Sequence, residues 1–158
     1  MTDAHLERDT VALFTPVPNG GVLAALLGLN KIPARVIETG NGTLAVLDSD
    51  EEGAGASAAA AVATLLKDNP TLVMERRAGQ LTVHRHRGSL ADDEVPPGLA
   101  LDSAPHVVQK LMSGATSIED VEAESPETVF PTPRGRFKAF RQLRRYAKQA
   151  KREQSERR

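Results

Sequence analysis

The run 10–48 constrains the fold more than any other part of the chain. In it an apolar strand, a Gly-Gly turn, a short Leu/Ala helix and a strand pair joined by Gly40-Asn41-Gly42 follow without a break. Val11, Ala12, Leu13 and Phe14 form a continuous apolar stretch suited to a strand covered on at least one face, and Pro16 and Pro18 end it. Asn19 is the expected N-cap of a helix. Behind it Val22, Leu23, Leu26, Leu27 and Leu29 share one helical face, and Gly28, Asn30 and Pro33 supply the stop. Residues 35–39 and 43–47 read as a hairpin, because Asn41-Gly42 is the pair that a type I′ turn demands.

Further on, 48–55 is an acidic, Gly-containing loop, and the Ala-rich stretch 56–66 predicts a helix ending at Asp68, Asn69 and Pro70. Residues 71–75 and 81–86 form a second expected hairpin around Arg76, Arg77, Ala78 and Gly79. Residues 91–97 read as a loop, 105–112 as a short helix, and 117–122 as one more turn. The order strand, helix, strand, strand, helix, strand predicts an α+β fold. The expected form is a ferredoxin-like βαββαβ(β) sandwich of four or five antiparallel strands with two helices on one face. The expected division is a flexible N-terminus at 1–9, this domain with a following short helix at 10–115, an acidic Pro-containing linker at 116–133, and a C-terminal helical extension at 134–158. The linker has little expected capacity to pack, and the extension is expected to be removable without loss of the fold.

The stretch Pro18-Asn19-Gly20-Gly21-Val22-Leu23-Ala24-Ala25-Leu26-Leu27 resembles the strand-to-helix turn of ACT regulatory domains. The resemblance implies a turn facing an amino-acid ligand, but the helix here is shorter and no binding residue is carried across. RNA-recognition motifs share the order of elements and contact RNA through aromatics on their central strands; Thr43-Leu44-Ala45-Val46-Leu47 has none.

Charge is divided unevenly. Residues 1–133 hold 9 Lys/Arg against 19 Asp/Glu, a net of −10, whereas 134–158 hold 11 against 2, a net of +9. This asymmetry points to a tail that binds a polyanion or docks on an acidic surface of its own or another chain. On a helix, Lys138, Arg141, Arg145, Lys148 and Arg152 form one stripe, with Arg144 and Lys151 adding to the basic set. Phe137, Phe140, Leu143, Ala147 and Ala150 fall on another arc with Tyr146 at its edge. Such a stripe can neutralise phosphates, so the expected function is non-enzymatic binding of nucleic acid or a ribonucleoprotein. The alternative is a protein-interaction or small-ligand-sensing module, a homo-oligomer included, whose tail meets an acidic protein surface.

Other candidate sites are weaker. Arg76, Arg77, Arg85 and Arg87 offer an auxiliary basic patch, and Asn19, Gly20 and Gly21 could present helix N-terminal amides to a ligand. His84 and His86 share a strand face but lack a visible third ligand. The loop carboxylates Asp48, Asp50, Glu51 and Glu52 lack the spacing of a calcium loop. No cofactor or metal is expected. The chain contains no Cys, which excludes thiolate chemistry, and His106 has no evident catalytic partner. With a charged N-terminus and no long apolar run, the expected location is the cytoplasm.

Overall fold

The computed structural model describes residues 9–66, 69–87, 90–133 and 135–156, with some side chains inside these segments excepted. Of the expectations above, the flexible N-terminus (apart from Asp9), the helix stop at Asp68 and the side chains of Phe137 and Ala150 lie outside what is described.

The chain forms β1 (Thr10–Thr15), α1 (Gly20–Leu29), β2 (Ala34–Thr39), β3 (Gly42–Leu47), α2 (Ala54–Leu66), β4 (Thr71–Arg77) and β5 (Gln80–Arg87). It continues through β6 (Leu90–Val95), α3 (Pro97–Asp102), α4 (His106–Ser113), α5 (Ile118–Glu124), β7 (Val129–Pro131) and α6 (Arg136–Glu156). The strands make one seven-stranded antiparallel sheet in the order β6-β5-β4-β1-β3-β2-β7. The expected alternation of strands and helices is thus present, but in a sheet of seven strands rather than four or five.

Both extra strands come from acidic stretches read as loop and linker. β6 adds Leu90–Val95 to the edge beyond β5, where Asp93 and Glu94 are exposed. Charges on an edge strand suit its position, since they discourage pairing with another chain. β7 pairs with β2, its Val129 is buried, and Thr132 closes the ladder by donating to Ala34 O at 3.1 Å while its hydroxyl accepts from Ala34 N at 3.2 Å.

Each sheet face carries its own core. Val11, Leu13, Val36, Ala45, Leu47 and Val73 meet Leu23 and Leu27 of α1 and Ala58, Ala59 and Val62 of α2. On the other face Ala12, Ile37, Leu44, Met74 and Val83 meet α3, α4 and α5 through Ala100, Val108, Leu111, Met112, Ile118 and Val121. Helices therefore cover both faces, not one. This explains why β3 is buried along its whole length and lacks the alternation of a half-solvated strand.

The two hairpins exchange turn chemistry. In the first, Thr39 pairs with Gly42, so Gly40-Asn41 form the tip and neither takes a positive φ. The expected type I′ turn at Asn41-Gly42 is absent. The Thr39 hydroxyl accepts from Asn41 N at 3.2 Å and donates to Gly42 O at 2.8 Å, a local side-chain substitute for the primed turn. Gly42 has φ 150, and a Cβ there would collide with the Thr15 carbonyl. The second hairpin has φ 52 at Ala78 and 78 at Gly79, the two positive values a type I′ turn needs.

Candidate functional site

The basic C-terminal segment is the single α6 helix of 21 residues, about 31 Å long at the rise of an α-helix. Its sequence favours that state: Arg, Lys, Gln, Ala and Leu predominate, and neither Pro nor Gly interrupts it. What holds it to the domain is α1. That helix, GGVLAALLGL, is apolar all round and buries Gly20, Gly21, Leu23, Ala24, Ala25, Leu26, Leu27 and Gly28. An apolar helix needs cover on its outer side as well as against the sheet, and α6 provides it.

Glycines set the separation of the two helices. A Cβ at Gly21 would run into the Tyr146 hydroxyl, and one at Gly28 would lie 2.9 Å from both the Pro133 ring and the Pro133 carbonyl oxygen. Pro133, just before α6, therefore sits at the C-terminal end of α1, and Tyr146 sits near its start, so the helices run antiparallel. Ala139 is fully buried, and Gln142, Leu143 and Tyr146 are half-buried. These positions form the docking stripe at i, i+3, i+4 and i+7. The apolar arc read from sequence is displaced from it, since Phe140 is 56 % exposed and Ala147 is exposed.

The basic set lies on the opposite side. Lys138, Arg141, Arg144, Arg145, Lys148, Lys151 and Arg152 are all exposed. At 100° per residue they span a continuous arc centred opposite Ala139 and Tyr146. Beyond Tyr146, Ala147, Lys148, Gln149, Lys151 and Arg152 are exposed around the helix, which extends past the start of α1. The docking is apolar and the charges point outward.

The Asn19-Gly20-Gly21 turn is engaged within the fold. Asn19 caps α1 by accepting from Val22 N at 3.1 Å, and the Glu38 carboxylate accepts from Gly20 N at 2.7 Å. Phe130 covers Gly20 and Tyr146 covers Gly21. The anion suited to this helix N-terminus is thus supplied by Glu38 of the same chain.

The expected patch of Arg76, Arg77, Arg85 and Arg87 is not one surface. Arg76 is 4 % exposed and donates from Nη1 to Leu111 O at 2.7 Å and Met112 O at 3.1 Å, and from Nη2 to Thr10 Oγ1 at 3.1 Å. It clamps the C-terminal turn of α4, where outward carbonyls and the negative end of the helix dipole favour a cation. Burial lowers the Arg76 pKa from its usual value, with Asp9 acting in the opposite direction. Arg77 points to the other face and donates to Glu75 Oε2 at 3.2 Å and to Asp50 O at 2.8 Å, tying down the acidic loop. Arg85 lies 3.8 Å from Asp93, while Arg87 is exposed at the end of β5. β5 lies in the half of the sheet away from β2 and β7, the strands that α1 packs against, so this patch does not join α6.

A cleft of about 240 Å³ opens where Arg35, Asp48, Arg76, Ser117 and Glu119 converge. Its two cations already have partners: Arg76 holds α4, and Arg35 meets Glu119 at 3.2 Å and Glu122 at 3.4 Å. Asp48, Asp50, Glu51 and Glu52 are exposed, as is His106 in the first turn of α4.

His84 and His86 do share the α2-facing side of β5, since His84 pairs with Val73 and His86 with Thr71. Among the described residues no group of three or more His, Asp or Glu is placed to hold a metal. His86 is 7 % exposed and its Nδ1 has no hydrogen-bond partner. Burial, followed by the neighbouring His84, lowers its pKa, against a smaller upward pull from Glu75. A lowered folded-state pKa means that folding favours neutral His86. Its contribution is intact above the unfolded value near 6.5 and is lost as pH falls from there towards the folded value. Thermal melts at about pH 7.5 and 5.5 are expected to show a smaller acid-induced drop for His86→Leu than for the wild type; equal drops would contradict this.

Among the described residues no helix is long and apolar enough to cross a membrane. No family model, curated protein or solved structure matches the chain.

Proposed function

We propose that the protein is a non-enzymatic nucleic-acid-binding protein that presents the outer arc of α6 to a phosphate backbone. The observation that carries this reading is the exposure of all seven cations, from Lys138 to Arg152, on the side of α6 opposite its docking stripe. Binding follows from displacement of the counterions condensed on the polyanion. Phosphate contacts position the partner without reading its sequence. The domain's part is to hold the helix: α1 grips it through Ala139 and Tyr146 and leaves the basic side chains in solvent. An external polyanion is favoured by the exposure of the cations beside a contact whose buried residue is the apolar Ala139.

The test uses Arg145→Glu, Lys148→Glu and Arg152→Glu together, three exposed positions at or beyond the end of the docked half. Binding to a fluorescein-labelled RNA is expected to weaken at least about thirtyfold at moderate salt, with an unchanged melting temperature. Unaltered affinity in the triple variant would refute the assignment. Deleting 134–158 is a poorer test, since it also uncovers α1.

A further inference from the structure

We infer that α6 takes single-stranded rather than duplex nucleic acid, with Phe140 as the platform on which an unpaired base stacks; the inference rests on the nucleic-acid reading above. The chain has only 4 Phe, 1 Tyr and no Trp, yet Phe137, Phe140 and Tyr146 fall within its one strongly cationic segment. Tyr146 is used against Gly21. Phe140 is directed outward and is 56 % exposed.

Its surroundings are those of a stacking site. Phe140, Arg144, Ala147 and Lys151 follow one another at i, i+4, i+7 and i+11, so they line a single strip along the helix, and all four are exposed. Ala147, two turns on, is too small to reach back over the ring. Arg144 and Lys151 stand along the same strip, where the phosphates of a strand laid on the helix would pass. Aromatic rings interleaved with cations bind single strands because every base offers a π-face.

A duplex does not use this geometry. An annealed RNA is A-form, its major groove is too deep and narrow for side chains to read, and its paired bases are stacked on one another. Phe140 lies on the flank of α6, about a quarter turn from the centre of the cationic arc, so a duplex docked on those cations offers the ring no unpaired base. A duplex would meet only the outer cations and leave the ring in water. A membrane surface would need a broad apolar face, and α6 spends its apolar stripe on α1.

The experiment compares a labelled, unstructured RNA of roughly 20 nucleotides with the same strand annealed to its complement, at one salt concentration. The wild type is expected to bind the single strand more tightly. Phe140→Ala should lose about tenfold on the single strand and nothing on the duplex, while Phe140→Trp keeps the preference. Arg145→Glu with Lys148→Glu should weaken both probes alike. If that charge variant loses binding but Phe140→Ala changes neither probe, the single-strand inference fails and the nucleic-acid reading stands. If the wild type binds neither probe, or binds only phosphatidylserine vesicles, both fail.

Discussion

Arg76→Met is expected to cost the fold about 3 kcal/mol, read as a lower denaturation midpoint. Methionine fills much of the volume, so the loss is chemical. The guanidinium satisfies Leu111 O at 2.7 Å and Met112 O at 3.1 Å, carbonyls in the last turn of a helix buried against the sheet. Met112 is itself fully buried, so water is poorly placed to replace the donor. Hydrogen bonds to a charged group are each worth about 1.5–3 kcal/mol, and leaving an acceptor buried incurs its full desolvation penalty. The contrast is Arg85→Ala. Its pair with Asp93 is 3.8 Å long between largely exposed side chains, and the expected change is under about 0.5 kcal/mol. Equal effects of the two substitutions would show that Arg76 does not clamp α4.

Gly28→Val is expected to destabilise by about 2–3 kcal/mol and to loosen α6 from α1. Removing a helical glycine would alone raise helix propensity, by up to about 1 kcal/mol for alanine. Packing reverses the sign: the new Cβ would stand 2.9 Å from the Pro133 carbonyl oxygen, a backbone atom that cannot rotate aside. Gly98→Ala in α3 isolates the propensity effect, because a Cβ there meets nothing within 4 Å, and it is expected to be neutral or stabilising. The chain's single Tyr and lack of Trp give a direct readout, since tyrosine fluorescence reports Tyr146 at the helix contact. Gly28→Val with wild-type stability and an unshifted tyrosine signal would contradict the packing.

Much of this architecture was legible in the sequence where local chemistry and burial agree. β1, α1 with its Asn19 cap, and the positions of β2 and β3 follow from apolar runs and stop residues, and the structure has them at the expected places. The exact turn at residues 39–42 was not legible, because the Thr39 hydroxyl outcompetes the glycine signal one residue on. Nor was β7: a three-residue strand gains its stability from docking on β2, not from its own pattern. Two features of the sequence do point to the covered faces. The absence of alternation in Thr43-Leu44-Ala45-Val46-Leu47 means that both faces of β3 are covered. An all-apolar α1 with Gly21 and Gly28 seven residues apart means that a second helix lies on it. Five of the seven cations of α6 follow from helical spacing, and Arg144 and Lys151 extend the same exposed arc. The docking stripe was not, because Ala139 and Gln142 carry little hydrophobic signal, and Phe140 drew the expected apolar arc towards solvent.

The salt dependence of RNA binding tests most directly whether α6 binds phosphates through its outward cations. Affinities of the wild type and of Arg145→Gln with Lys148→Gln are plotted as log K against log salt. The wild type should give a steep negative slope, and loss of two phosphate contacts should make it shallower by about 1.4 on a single strand. Parallel lines for the two proteins, or binding that salt does not weaken, would contradict the account.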